Sequence, residues 1–262
     1  MTGMINFCNI TKATTVQEDV LLTLGVLIGR APKHVVLSQL PTLMPILITF
    51  FQDIRDISLC TTTSSVLGDI CYSVGQGLEP YANNVISTIL KYLMDEDLDM
   101  QFEVSVVELF GDMALALGPL FRPFLKPALE VLKTVTSIKP EEEEDDDLFD
   151  LVDQIVAAGL GVYTSIIQGL YSEEVKINDD YMIWKDHIPY LMSLIERLSE
   201  NDRHREEITR AVCGLVGDVR NAFKEIIHPS QIKPIISKLA QKAKSSTDPK
   251  TSSVGQWLEK MV

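Results

Sequence analysis

A chain of 262 residues with 46% hydrophobic content is long enough to bury a sizeable core. Its 37 acidic residues against 23 basic ones leave a net charge of −14, which repels nucleic-acid phosphates and anionic membranes and favours a basic protein partner. There is no unbroken apolar run of about 18 residues, so no membrane span is predicted, and no secretory signal is visible at the start; Cys8, Cys60, Cys71 and Cys213 lack metal or redox spacing and read as reduced thiols of a cytosolic or nuclear protein.

Taken in order, Met1 to Thr15 carries an apolar patch (Met4, Ile5, Phe7, Ile10) and then the turn-like CNITKATT. It reads as the end of a helix, and with no polar capping unit before it the chain is expected to begin inside an array. A helix is predicted over Val16–Ile28, with Glu18 and Asp19 near the positive end of its dipole, and an amphipathic segment follows at Leu40–Phe51. The next helix, Asp56–Val74, carries Ser58, Thr62, Ser65 and Asp69 along one stripe. Cys60 and Cys71 lie three turns apart on it, roughly 16 Å by helical rise, too far to bridge. Gly75-Gln76-Gly77 reads as a helix exit, and Pro80–Met94 as the following helix, with Pro80 preorganised for its first turn.

Gln101–Leu117 has the clearest pattern. Phe102, Val106, Leu109, Phe110, Met113 and Leu117 fall on a broad apolar face, with Gln101, Ser105, Glu108 and Asp112 on a narrow stripe opposite. Gly111 sits mid-helix, where glycine costs about 1 kcal/mol relative to alanine, so a second backbone is expected to approach there. Further on, Phe121–Val135 is amphipathic, and Lys139–Asp147 is an insertion whose acidic run Glu141–Asp147 is expected to stay solvated. Asp147 is placed to cap a helix starting near Leu148. A second insertion, Glu173–Lys185, contains Trp184 as a staple. Helices follow at Ile188–Leu198, at His204–Phe223 (with Glu207, Ala211, Gly214 and Asp218 on one stripe) and at Ile232–Ala243. The last segment, SVGQWLEKMV, places Trp257 either in the core or exposed as a clamp for a lysine or arginine stem.

Glycines preceded by an apolar residue recur at Gly25, Gly68, Gly111, Gly161 and Gly217, spaced 43, 43, 50 and 56 residues apart. The first two spacings match the roughly 40–47 residues of HEAT or armadillo repeats, and the insertions account for the longer two. The fold class expected is therefore all-α, a right-handed superhelix of five to six stacked helix pairs. A partial repeat covers 1–31, and full repeats run roughly 32–75, 76–117, 118–170, 171–224 and 225–262. No phosphate loop, nucleophile elbow or paired histidines at metal spacing occurs. His34, His187, His204 and His228 read as isolated and solvated, so neither an enzyme nor a cofactor is expected. The stripes bearing Asp69, Glu108, Asp112, Glu207 and Asp218 read either as solvated faces or as the acidic wall of a groove for a long basic ligand. Leu47, Phe50, Phe51, Phe121 and Phe124 read either as core or as edges of shallow grooves that accept single aromatic side chains.

The stretches VQEDVLLTLGVLIG, LGDICYSVGQ, FGDMALALG, GVYTSIIQGL, CGLVGDVRNAF and QWLEK occur in the order found in the carboxy-terminal HEAT repeats of importin beta, the karyopherin-beta family of nuclear import receptors, and the chain resembles that family over essentially its whole length. The resemblance implies a transport adaptor of cytoplasm, nucleus and nuclear pores. Its acidic inner helices would bind the basic importin-beta-binding segment of importin alpha, or a basic cargo, with Asp69, Glu108, Asp112, Glu207, Asp218 and Trp257 facing it. Phenylalanine–glycine nucleoporins would bind between outer helices, where Leu47 and Phe121 match. Ran would bind mainly through repeats absent here, and the run Glu141–Asp147 is not the family's Ran-coupled acidic loop. A general HEAT scaffold unrelated to transport is the competing reading.

Overall fold

The computed structural model describes residues 1–11, 13–138, 146–171, 180–200 and 205–261. Among them the fold is all-α, as expected, and it divides into two compact units, Met1–Phe124 and Leu125–Val262.

The first unit contains α1 (Thr2–Ile10), α2 (Thr14–Arg30), α3 (Lys33–Gln52), α4 (Ile57–Val74), α5 (Glu79–Tyr92) and α6 (Met100–Leu117). One layer stacks α2 on α4 on α6, and the other stacks α1, α3 and α5. The 43-residue period is repeated in the helix ends. Asp56 caps α4 by accepting from the Leu59 amide at 3.1 Å, and Asp99 caps α6 by accepting from Phe102 at 2.9 Å. Each helix then stops at a glycine in a conformation that L-residues rarely adopt, Gly75 (φ 57°, ψ −128°) and Gly118 (φ 55°, ψ −127°). A 3-10 turn follows each, Gly75–Leu78 and Gly118–Phe124, so the stretch 75–77 is the helix exit that the sequence suggested. Between the layers, Phe51, Tyr92 and Phe102 meet edge to face at centroid distances of 5.4–6.3 Å, and the Tyr92 hydroxyl donates to the Phe51 carbonyl at 2.6 Å.

In the second unit, α7 (Leu125–Ser137), α8 (Asp146–Leu170), α9 (Tyr181–Glu200), α10 (Glu206–Ala222), α11 (Pro229–Lys244) and α12 (Pro249–Glu259) repeat the layering, with α8 on α10 on α12. Asp248 caps α12 through the Thr251 amide at 2.9 Å and accepts from Arg210 of α10 at 2.8 Å.

Several expectations need correction. Helix α3 begins at Lys33 and runs through Pro41 and Pro45. Each interior proline costs about 3 kcal/mol in isolation, and burial of Leu40, Leu43, Met44, Leu47 and Phe51 offsets it. Glu18 and Asp19 lie beyond the first turn of α2, which holds no acid. Asp147 stands inside the first turn of α8 with Asp146 and is not its cap; residues Glu141–Asp145 of the acidic run, and His204, lie outside the described residues. By length and composition three segments could cross a membrane, Lys33–Gln52, Met100–Ser137 and Asp146–Leu170. Their apolar faces are spent on helix–helix packing within the fold, and the second is broken by the 3-10 turn after Gly118.

The glycines differ in what stands beside them. Gly161 has nothing within 4 Å of the place a Cβ would occupy; Gly159, two residues earlier, is the packed one, with Thr136 Cγ2 at 2.7 Å. At Gly255 a neighbouring backbone comes close, the Lys244 amide nitrogen at 2.6 Å and the Ala243 carbonyl carbon at 2.9 Å. Gly255→Ala is therefore expected to destabilise by about 1–2 kcal/mol, because α11 must move. Gly161→Ala is expected to stabilise by up to about 1 kcal/mol through helix propensity alone. Urea titrations of the two variants should move the midpoint in opposite directions.

Candidate functional site

The candidate surface of the first unit is the face of α2, α4 and α6 opposite their buried stripe. Phe102, Val106, Leu109, Phe110, Met113 and Leu117 are all buried, which turns Gln101, Glu108 and Asp112 outward. The residues nearest Gly25 and Gly68 are carboxylates of the next helix in the layer. A Cβ on Gly25 would lie 2.5 Å from Asp69 Oδ2, and one on Gly68 would lie 2.7 Å from Asp112 Oδ2. The missing side chain makes room for an acid folded down across the helix seam. That placement has an electrostatic cost. Burial of the carboxyl end raises the pKa of Asp69; burial, and then the negative charge of Asp69, raises that of Asp112. Burial raises Glu103, one turn from the start of α6, as well. All three would gain from a nearby cation.

The same face also carries apolar residues that the sequence pattern alone did not single out. Tyr72, three residues beyond Asp69, is 93% exposed; Leu115, three beyond Asp112, and Leu22 and Val26, either side of Gly25, are each more than half exposed. The 43-residue alignment could have found them, because it sets Leu22 and Val26 at the positions of Ser65 and Asp69, in a stripe otherwise polar.

In the second unit, Glu207 is exposed near the start of α10, and Asp218 stands three turns further along. Asp218 is half-buried and accepts from the Gln168 amide of α8 at 3.1 Å; burial raises its pKa and that hydrogen bond partly counters it. Trp257 is 42% exposed and sets the outer edge of its indole over Gly217, its Cζ3 2.9 Å from where a Cβ would stand. It is thus partly covering α10 and partly open, next to Asp218 in sequence register. The structure brings together Asp69 with Asp112 in one unit, and Trp257 with the Gly217–Asp218 turn in the other.

The proposed aromatic-accepting positions differ from expectation. Leu47 and Phe121 have no accessible surface, and neither has Phe51. Phe121 packs on Phe110 at 5.8 Å and on the half-buried Phe124 at 5.9 Å. As core residues they cannot touch a ligand without repacking. Trp184 is likewise fully buried: its ring meets Phe223 at 4.6 Å, and its Nε1–H donates to the Tyr171 hydroxyl at 2.5 Å. His187, expected to be solvated, is buried in α9 with Nε2 2.9 Å from the Tyr163 hydroxyl and, among the described residues, no hydrogen-bond partner on Nδ1. His34 and His228 are exposed as expected, His228 capping α11.

Chemistry beyond binding finds no support in these side chains. All four cysteines are buried and reduced, with burial holding Cys8 up at about 11 and Cys60 and Cys213 at about 12. Among the described residues no three His, Cys, Asp or Glu side chains converge as a metal site.

The sequence pattern described as importin subunit beta-1-like, TPR repeats, matches residues 1–244. The chain belongs to the importin subunit beta-1-like family. Among relatives, importin subunit beta-1 of Schizosaccharomyces pombe is 22% identical over 212 residues, 81% of this chain and 24% of the relative. A crystal structure of importin beta superposes with a TM-score of 0.84 over 99% of this chain and 31% of that one, at 19% identity. A Kap95:Nup1 complex superposes with a TM-score of 0.74 over 94% of this chain and 28% of that one, at 18% identity. This importin-beta-like chain spans about a quarter of the length of the curated relatives it matches.

Proposed function

We propose that this importin-beta-like chain is a segment of a nuclear transport receptor, working between cytoplasm and nucleus and at nuclear pores, that holds a basic helix of an adaptor such as importin alpha, or of a cargo, on its acidic helix faces. The observation that carries the reading is the pair Asp69 and Asp112, two carboxylates at equivalent positions of adjacent helices, each tucked over a glycine. The exposed Leu22, Val26, Tyr72 and Leu115 beside them suit the apolar side of such a helix. Glu108, Glu207, Asp218 and Trp257 are the further contacts proposed. Nucleoporin binding enters through the likeness to Kap95 in its Nup1 complex, with Leu47 and Phe121 as the packed floor beneath a contact and not the contact itself. The Ran contact is assigned mainly to repeats outside this chain.

The test is a fluorescence-anisotropy titration with a labelled amphipathic Arg/Lys-rich helical peptide. Binding should weaken steeply with salt, and Asp69→Asn/Asp112→Asn should lower affinity by about tenfold, near 1.4 kcal/mol. The same variant should be unchanged or slightly more stable, within about 0.5 kcal/mol, because it removes two charges that the fold disfavours. Equal binding of a neutral scrambled peptide would exclude the reading.

A further inference from the structure

The strongest positive region of this acidic protein has no role in the reading above. From Arg220 to Lys244 there are six lysines or arginines and one acid, Glu225, in a chain whose net charge is −14. Three of the six are committed: Lys238 pairs with Glu200 at 3.3 Å, Lys242 donates to the Ser199 carbonyl at 3.2 Å, and Lys244 pairs with Glu259 at 2.7 Å. The other three, Arg220, Lys224 and Lys233, have no salt-bridge partner among the described residues. All three line one cavity of about 290 Å³ between the end of α10 and the start of α11.

The cavity has an apolar side as well. Ile227 and Ile232, both nearly fully buried, form its floor with Pro229. The α11 amino terminus adds little pull on an anion, because the His228–Gln231 capping box already occupies its first amides. The positive potential therefore comes from the three side chains. A volume just under the roughly 300 Å³ lower bound of small-molecule pockets suits one large side chain better than a nucleotide or a drug-sized ligand. Cations around an apolar floor select an anionic group attached to a bulky apolar one.

We propose that this cavity is a docking site for an acidic peptide segment of a partner protein, which seats one leucine- or phenylalanine-sized side chain on Ile227 and Ile232 and places flanking carboxylates against Arg220, Lys224 and Lys233. The site is independent of the basic-helix reading, since its ligand has the opposite charge.

The test uses the full 262-residue chain and a fluorescein-labelled nonapeptide with one phenylalanine between aspartates and glutamates. Binding should be saturable and salt-sensitive, and should shift the ¹³C-methyl resonances of Ile227 and Ile232. Lys224→Glu/Lys233→Glu, which changes only exposed side chains, should weaken it by about tenfold without moving the thermal melt. The phenylalanine-to-alanine peptide should lose a similar factor. No binding, undiminished binding to the variant, equal binding of the alanine peptide, or full displacement by millimolar inorganic phosphate would each overturn the proposal.

Discussion

Trp184→Ala is expected to lower the stability of the Leu125–Val262 unit by about 3–5 kcal/mol, the range for deleting a large buried aromatic. Trp184 is fully buried, stacks against Phe223 at 4.6 Å, meets Tyr171 and His187 edge-on, and donates to Tyr171, whose hydroxyl bonds the buried Asp180 at 3.1 Å. Its removal leaves a cavity and takes away the hydrogen bond that the Tyr171 hydroxyl accepts. Circular-dichroism melts should show a fall of roughly 10 °C or more in the transition of that unit. Trp257→Ala is the control: that ring is 42% exposed and covers Gly217, so its loss should cost no more than about 1–2 kcal/mol. Equal effects of the two changes would contradict the packing described.

The second large effect is a pH dependence centred on His187. Its Nε2 faces the Tyr163 hydroxyl of α8, while Lys133 and Glu130 of α7 supply the nearby charges. A protonated ring would need an acceptor for Nδ1–H, and none is present among the described residues. Burial first, and then Lys133, lower the pKa from 6.5 to about 4, against a smaller opposing pull from Glu130. In this window the unfolded chain takes up a proton that the native chain refuses. Stability is unaffected by the group above about pH 6.5, falls as pH drops from 6.5 towards 4, and levels off below, with a total loss of about 3 kcal/mol. The raised carboxylates Asp69, Glu103, Asp112 and Asp218 act with the opposite sign, protonating more readily in the native state as pH falls. His187→Gln, which can keep a hydrogen bond to Tyr163, should flatten the slope between pH 6.5 and 4.5 in urea titrations; an unchanged slope would assign the dependence elsewhere.

These two residues also show where the sequence was legible. The buried face of α6 could be read position by position, because its period is long, strong and unbroken. The helix holding Trp184 and His187 could not: Glu173, Glu174 and Asn178–Asp180 made the whole stretch Glu173–Lys185 read as an insertion although Tyr181–Trp184 is apolar, and α9 starts at Tyr181, seven residues before the expected segment at Ile188. A histidine carries no mark of burial in one sequence, since its neutral ring packs as readily as it hydrates. The candidate site was half legible. The recurring Gly-Asp pairs pointed to Asp69, Asp112 and Asp218, but glycine alone could not say whether a backbone, a carboxylate or an indole would fill the space beside it. The three answers proved to be Gly255, then Gly25 and Gly68, then Gly217. Whether Leu47 and Phe121 were core or groove edge stayed open because amphipathic helices in a two-layer array have two partners, and residues that look like an edge in one pair are covered by the next.

The seam between α2, α4 and α6 bears on how such an array can grow. Helix α4 offers Gly68 to its successor and Asp69 to its predecessor, so the pairs Gly25–Asp69 and Gly68–Asp112 interlock like links of identical shape. Excising one whole 43-residue period would bring Gly25 against Asp112 and restore the same join, and tandem duplication would do likewise. Sliding one of these helices along the seam by a residue would strand an acid against a side chain with no hollow to receive it, whereas a change of length in the connections between helices leaves the join intact. This array can therefore gain or lose a complete link here without disturbing the seam.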